Sequence, residues 1–316
     1  MHRIRTLLLA AVALCTIFAG IPAARAQVVV QDFSSDPSQP QGGAPPYQVR
    51  GPGAAQFLYE PASPTRFAGD PKGSLAVTYD SVAPTSRFFT TFPGGFTQDD
   101  DFVLGAVITV RPEGFAPDPF GFHPISFSLF NSTTTGDERT GNLADFRADT
   151  YDTVELSYFP NVSPFFGGPF LSPDLFGERT DPDAFVNFTF GSVQFELEPG
   201  VTYLIELEHS ASRRVLKARV LVVNPNGHAV PIEGGVVEAD LSRISAFLVD
   251  SLGITAYHDG FNEFSSSGRS LLATVDYDLL YCGLIVEGRL PGELERALRR
   301  LRRGPAGIVP RDAVGE

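Results

Sequence analysis

The chain has 316 residues, of which 37 are acidic and 24 basic, for a formal charge of −13. Hydrophobic residues make up 43% and charged residues 19%, which excludes both intrinsic disorder and a protein of many membrane spans. With 31 Gly, 26 Pro, 27 Phe and no Trp, the composition suits short strands joined by turns rather than a helical bundle.

Arg3 and Arg5 precede an apolar run from Leu7 to Ile21, and Ala24-Arg25-Ala26 supplies the small-x-small pattern of a cleavage site. Residues 1–26 therefore read as a signal peptide. The apolar run falls short of the roughly 20 residues a bilayer span needs, so no transmembrane segment is expected after cleavage. The product is expected to be secreted or periplasmic. Losing Arg3, Arg5 and Arg25 takes the formal charge from −13 to −16, too acidic for general nucleic-acid affinity. The charge is also uneven. Residues 27–288 hold 33 acidic against 14 basic side chains, whereas residues 289–316 hold 4 against 7. This contrast divides the mature chain into a body, residues 27–288, and a basic C-terminal helix and tail, residues 289–316. Cys282 is the only cysteine outside the signal, which excludes an internal disulfide and suits a buried, inert thiol.

Along the body, Val28 to Phe33 reads as a strand, and the seven prolines between Ser34 and Pro64 read as extended surface loop. Strand-like runs follow at 74–79, 87–92, 102–110, 125–130, 153–159, 185–190 and 193–197, a spacing that suits a sandwich. Residues 201–208 and 215–223 alternate apolar and polar side chains with period two and predict an antiparallel hairpin. Glu206 and Glu208 should then oppose Lys217 and Arg219 on its outer face. Residues 241–252 are ambiguous between helix and strand, with strands favoured late in the stretch around a turn at Gly253. A last strand is expected over 274–285. Pro291 to Arg303 predicts a helix with Leu294, Leu298 and Leu301 on one stripe, stopped by Gly304-Pro305. That helix could pack on the body or dock to a surface protein or polyanion.

No catalytic signature stands out. There is no G-x-S-x-G, Gly69 to Ser74 has the wrong spacing for a phosphate cradle, and the four histidines outside the signal are scattered. The acidic positions with strand context are Asp99-Asp100-Asp101 and Asp276-x-Asp278, where carboxylates beside backbone carbonyls could form an oxygen cage for calcium.

Four stretches together resemble bacterial secreted domains of the concanavalin A-like lectin/glucanase superfamily: Val28-Val-Val-Gln-Asp-Phe33, Asp101-Phe102, Tyr151-Asp-Thr-Val-Glu-Leu-Ser-Tyr-Phe159 and Ala273-Thr-Val-Asp-Tyr277. The resemblance implies an all-β jelly-roll sandwich of two antiparallel sheets whose concave face binds glycans in many members. It also implies a structural calcium held by Asp276, with Asp32 as partner. Glucanases of this superfamily carry E-x-D-x-E on one strand, so that alternate carboxylates share a face. Here Thr153, Glu155 and Ser157 occupy those positions, so neither nucleophile nor acid is supplied by that motif and no catalytic residue is assigned. Tyr151 and Glu155 remain as ligand-binding residues, with Glu155 either bonding a sugar or facing solvent. The expected function is a non-catalytic, lectin-like polysaccharide or glycan binder. The alternatives are a structural or protein-adhesion module, or a glycosidase or lyase with a non-standard site.

Overall fold

The computed structural model describes residues 28–39, 45–51, 53, 56–64, 72–80, 83–115, 125–132, 152–160, 168–181, 188–257 and 272–302. The signal sequence, Tyr151 and the tail past residue 302 lie outside the described residues.

The described residues form two eight-stranded antiparallel sheets and a two-stranded pair. The first sheet contains β1 (Val28–Gln31), β3 (Phe57–Glu60), β4 (Ser74–Asp80), β6 (Phe102–Val110), β13 (Thr202–Ser210), β14 (Val215–Val223), β15 (Ala229–Asp240) and β18 (Leu272–Leu284). The second contains β2 (Gln48–Arg50), β5 (Ser86–Thr97), β7 (Ile125–Phe130), β8 (Thr153–Phe159), β9 (Phe170–Phe176), β11 (Phe188–Phe190), β12 (Val193–Gln194) and β17 (Leu248–Ala256). β10 (Glu178–Arg179) and β16 (Ile244–Ala246) pair with each other.

The strand order is 15-14-13-6-18-4-3 in the first sheet, with β1 also on β18, and 11-9-8-7-17-5-2 in the second. Successive strands β4 to β7 change sheet at each step. β17 then inserts between β5 and β7, and β18 between β4 and β6. This nesting is the jelly-roll architecture expected of the sequence.

Period-two patterning decides which side chains enter the core. Leu104, Ala106 and Ile108 of β6 face Val154, Leu156 and Tyr158 of β8 across one apolar cluster that also takes Tyr203, Ile205 and Leu207 of β13. The polar tips of two core tyrosines, Tyr79 and Tyr277, find partners there. Tyr79 and Tyr277 share a hydrogen bond of 2.6 Å, and the Tyr79 hydroxyl also reaches the Ser126 carbonyl of the opposite sheet at 3.4 Å. Cys282 lies fully buried opposite Val29, and burial pushes its thiol well above the ordinary range.

Several expectations need correcting. Gly253 makes no turn; it lies inside the central strand β17, opposite Phe89 and Ser128. A Cβ there would stand 2.6 Å from the Phe88 carbonyl and 2.7 Å from Phe89 Cβ, so only glycine lets the strands approach. The hairpin register pairs Glu206 with Arg219 and Glu208 with Lys217 as predicted. The expected Glu206–Arg219 pair forms at 3.8 Å, but the shorter bonds run elsewhere: Arg219 reaches diagonally to Glu208 at 3.0 Å, Lys217 turns to Glu238 on β15, and buried Glu206 accepts the Tyr281 hydroxyl at 2.6 Å.

The C-terminal helix, α1 (Gly292–Arg302), is present. Leu294, Leu298 and Leu301 bury against Val103, Val107, Leu204, Leu279 and Tyr281 on the outer face of the first sheet. That is why β6 is buried along its whole length, apolar on both faces where plain alternation would leave one polar. Arg296 and Arg299 point to solvent, while the leucine stripe is committed to the body.

Candidate functional site

On β8, Val154, Leu156 and Tyr158 enter the core, so Thr153, Glu155 and Ser157 point to the opposite, outward face of the second sheet. Such a face is usually wet, but this one is not: Thr153, Glu155 and Ser157 are each 1% exposed, which corrects the alternative in which Glu155 simply faces solvent.

Register fixes the neighbours of Glu155. Asp174 of β9 lies directly opposite on one side and Ser128 of β7 on the other. Phe190 of β11 is in turn opposite Asp174. The parallel row one pleat along is Ser172, Ser157, Ser126, Thr255 and Arg87. The second sheet thus carries a polar strip, with phenylalanines at its margins.

Two carboxylates in facing register repel one another, and burial sharpens this. Hydroxyl groups offset the repulsion. Tyr257 donates to Glu155 Oε2 at 2.6 Å, Ser157 donates to Oε1 at 3.0 Å, and Ser172 donates to Asp174 at 2.6 Å. Arg87 lies in the next row, where its Nε donates to Thr255 at 2.9 Å and its guanidinium sits 4.2 Å over the Phe130 ring. Ser128 is the exception among these groups. It is fully buried, and its hydroxyl has no hydrogen-bond partner. A buried hydroxyl left so costs about 1–3 kcal/mol. The row opens toward one edge of the sheet: Ser128 and Glu155 are buried, Asp174 is half-buried, and Phe190 is 56% exposed.

Sequence reasoning singled out Glu155 but missed Asp174, because Pro173 breaks the look of a strand. The structure shows why the proline is tolerated. The Pro173 carbonyl accepts from Gly191 on the side away from β8, so its missing N–H also points away, into the gap between β11 and β12. The alternation of Leu171 and Leu175 with Ser172 and Asp174 was the available signal.

The residues assigned to metal lie apart in two ion pairs. The Arg111 guanidinium clasps both oxygens of fully buried Asp276, with Nε 3.1 Å from each and Nη2 2.7 Å from Oδ1. Its Nη2 also bonds Glu60 at 2.8 Å. Asp32 pairs with Lys72. A cationic side chain therefore stands at each carboxylate where a calcium ion would have to sit, and among the described residues no three Asp, Glu, His or Cys side chains gather as ligands. These residues do not fit the metal. His209 is likewise structural: it stacks on Phe102, its Nδ1 lies 2.7 Å from the Asp100 carbonyl, and burial pulls its pKa below the ordinary value.

No family model matches the chain, and no curated protein does. Solved structures do. The carbohydrate recognition domain of Emp47p is 15% identical with a TM-score of 0.46, covering 84% of this chain and 100% of that one. Peanut lectin, solved with a 9mer peptide, is 11% identical with a TM-score of 0.43, covering 83% and 100%. The calcium-bound exoplasmic/lumenal domain of VIP36 is 10% identical with a TM-score of 0.41, covering 82% and 90%. The likeness is one of fold. No helix among the described residues is long and apolar enough to cross a membrane.

Proposed function

We propose that this chain is an exported, non-catalytic module that binds a carbohydrate against the outward face of its second sheet. The observation that carries the reading is the buried, unpartnered Ser128 hydroxyl set in one row with Glu155 and Asp174. A hydroxyl that both donates and accepts, beside carboxylates that accept, suits a ligand whose own groups are hydroxyls. Glu155 is held in place by Tyr257 and Ser157, so its lone pairs are oriented before a ligand arrives. Calcium at Asp32 and Asp276 is not part of this reading, since Lys72 and Arg111 already face those carboxylates.

The test is retention of the protein on a panel of immobilised polysaccharides. Retention that weakens in Ser128→Ala and Glu155→Gln supports the reading; no retention on any of them refutes it and leaves a protein-adhesion role. Asp174 opposite Glu155 favours one second reading, glycoside hydrolysis by a carboxyl pair drawn from two strands rather than one. Release of reducing sugar that is abolished in both Glu155→Gln and Asp174→Asn would establish it in place of the first.

A further inference from the structure

The open end of the polar row meets a cleft of about 300 Å³ lined by Phe188, Thr189, Phe190, Asp240, Ser242 and Arg243. Its aromatic side is Phe188 and Phe190, with Phe176 stacked behind them outside the lining. Phe176, Phe188 and Phe190 step outward along the sheet edge, with centroids 5.3 Å and then 5.9 Å apart and interplanar angles of 28° and 25°. Phe176 is buried while Phe190 is 56% exposed, so an exposed ring is braced by covered ones. A single exposed phenylalanine needs no explanation; one braced on edge and facing a polar wall is a flat platform.

The wall is equally fixed. Thr189 donates its hydroxyl to the Asp240 carbonyl at 2.7 Å, tying β11 to the end of β15. Ser242 donates its backbone N–H to Asp240 Oδ1 at 2.9 Å and its hydroxyl to Oδ2 at 2.8 Å. These bonds hold the Asp240 carboxyl below its ordinary pKa and leave it ionised at neutral pH. Arg243 is exposed and makes no ion pair among the described residues.

We propose that this cleft is a subsite for one neutral pyranose ring, whose C–H face stacks on Phe190 while adjacent hydroxyls donate to Asp240 and accept from Arg243. One negative and one positive side chain balance, which favours an uncharged sugar over an acidic or amino sugar. The volume lies at the small end of ligand clefts and suits a single ring. The subsite deepens the carbohydrate reading and rests on it: Phe190 lies opposite Asp174, so a longer glycan entering the polar row would pass over this platform first.

The experiment is saturation-transfer NMR on the full chain with methyl β-D-glucopyranoside, methyl β-D-galactopyranoside and methyl α-D-mannopyranoside, followed by polysaccharide retention on the same variants. At least one pyranoside is expected to bind. Phe190→Ala and Arg243→Ala should each weaken it about tenfold, the size of effect an aromatic or charged contact supplies, and Phe190→Trp should restore it. Pyranoside binding or retention that is unchanged in Phe190→Ala overturns the subsite while the polar-face reading stands. Absence of all pyranoside binding also overturns the subsite, and polysaccharide retention by the unaltered protein then decides the wider reading separately.

Discussion

Asp276 shows how a single side chain can be read from sequence as needing a partner while the partner the structure supplies, Arg111, goes unread. An acid between Val275 and Tyr277 in an apolar strand cannot be left alone, and the structure supplies Arg111, two residues beyond Thr109, the register partner of Asp276 on β6. A guanidinium satisfies two oxygens at once, and its third contact, to Glu60, draws in β3. Removing it would take the bidentate cation away from a fully buried carboxyl. Arg111→Met is therefore expected to lower unfolding free energy by about 3 kcal/mol in urea titrations, and Arg111→Met with Asp276→Leu to recover most of the loss. Melting temperatures in millimolar calcium and in chelator should coincide. A calcium-dependent rise that vanishes in Asp276→Asn would return the metal to this position.

Elements were legible wherever one face is apolar and the other polar. The β13–β14 hairpin shows this most clearly: Tyr203, Ile205 and Leu207 point inward, and its register follows from the alternation. Legibility failed where local chemistry contradicts the pattern. β9 hides behind Pro173, β17 behind Gly253, and the register that brings Asp174 to Glu155 depends on strand pairing that period two alone does not reveal. Glu155 could be found from its own strand; Ser128 and Phe190 could not, because each matters only through a neighbour on another strand. α1 was legible as a helix, and packing on or beside the body was the favoured destination, but a leucine stripe alone does not separate the body from a partner. Its burial on Val103, Val107 and Leu204 decides the matter locally. Leu298→Ala should cost about 2–5 kcal/mol in chemical unfolding. Ending the chain after Gly288 should leave a folded body that self-associates and binds apolar dyes, because the outer face of β6 would become an exposed apolar patch. A monomeric, dye-silent truncation would show that the helix covers nothing of consequence.

At the scale of the whole molecule, the order in which strands occur along the chain and the order in which they sit in the sheets conflict, and this has a consequence for stability. β17 and β18, near the end of the chain, occupy central places in the two sheets. Without them β5 and β2 part from β7 in the second sheet, while in the first β4 and β3 part from β6 and β1 loses its partner strand, so the second sheet falls into two unjoined parts and the first into three. The core loses Leu252, Ile254, Val275, Tyr277 and Leu280 together, and the surviving strands gain open edges. Burial at about 25 cal/mol per Å² cannot offset chain entropy once both sheets are split, because native stability is only a small difference between large opposing terms. A chain ending at Phe247 should therefore show no cooperative thermal transition by circular dichroism, whereas the chain ending at Gly288, which keeps both central strands, should retain one. A cooperative transition in the shorter chain would mean that the parts before β17 form a self-sufficient unit, and the nested order would then be a late decoration rather than the feature that closes the sandwich.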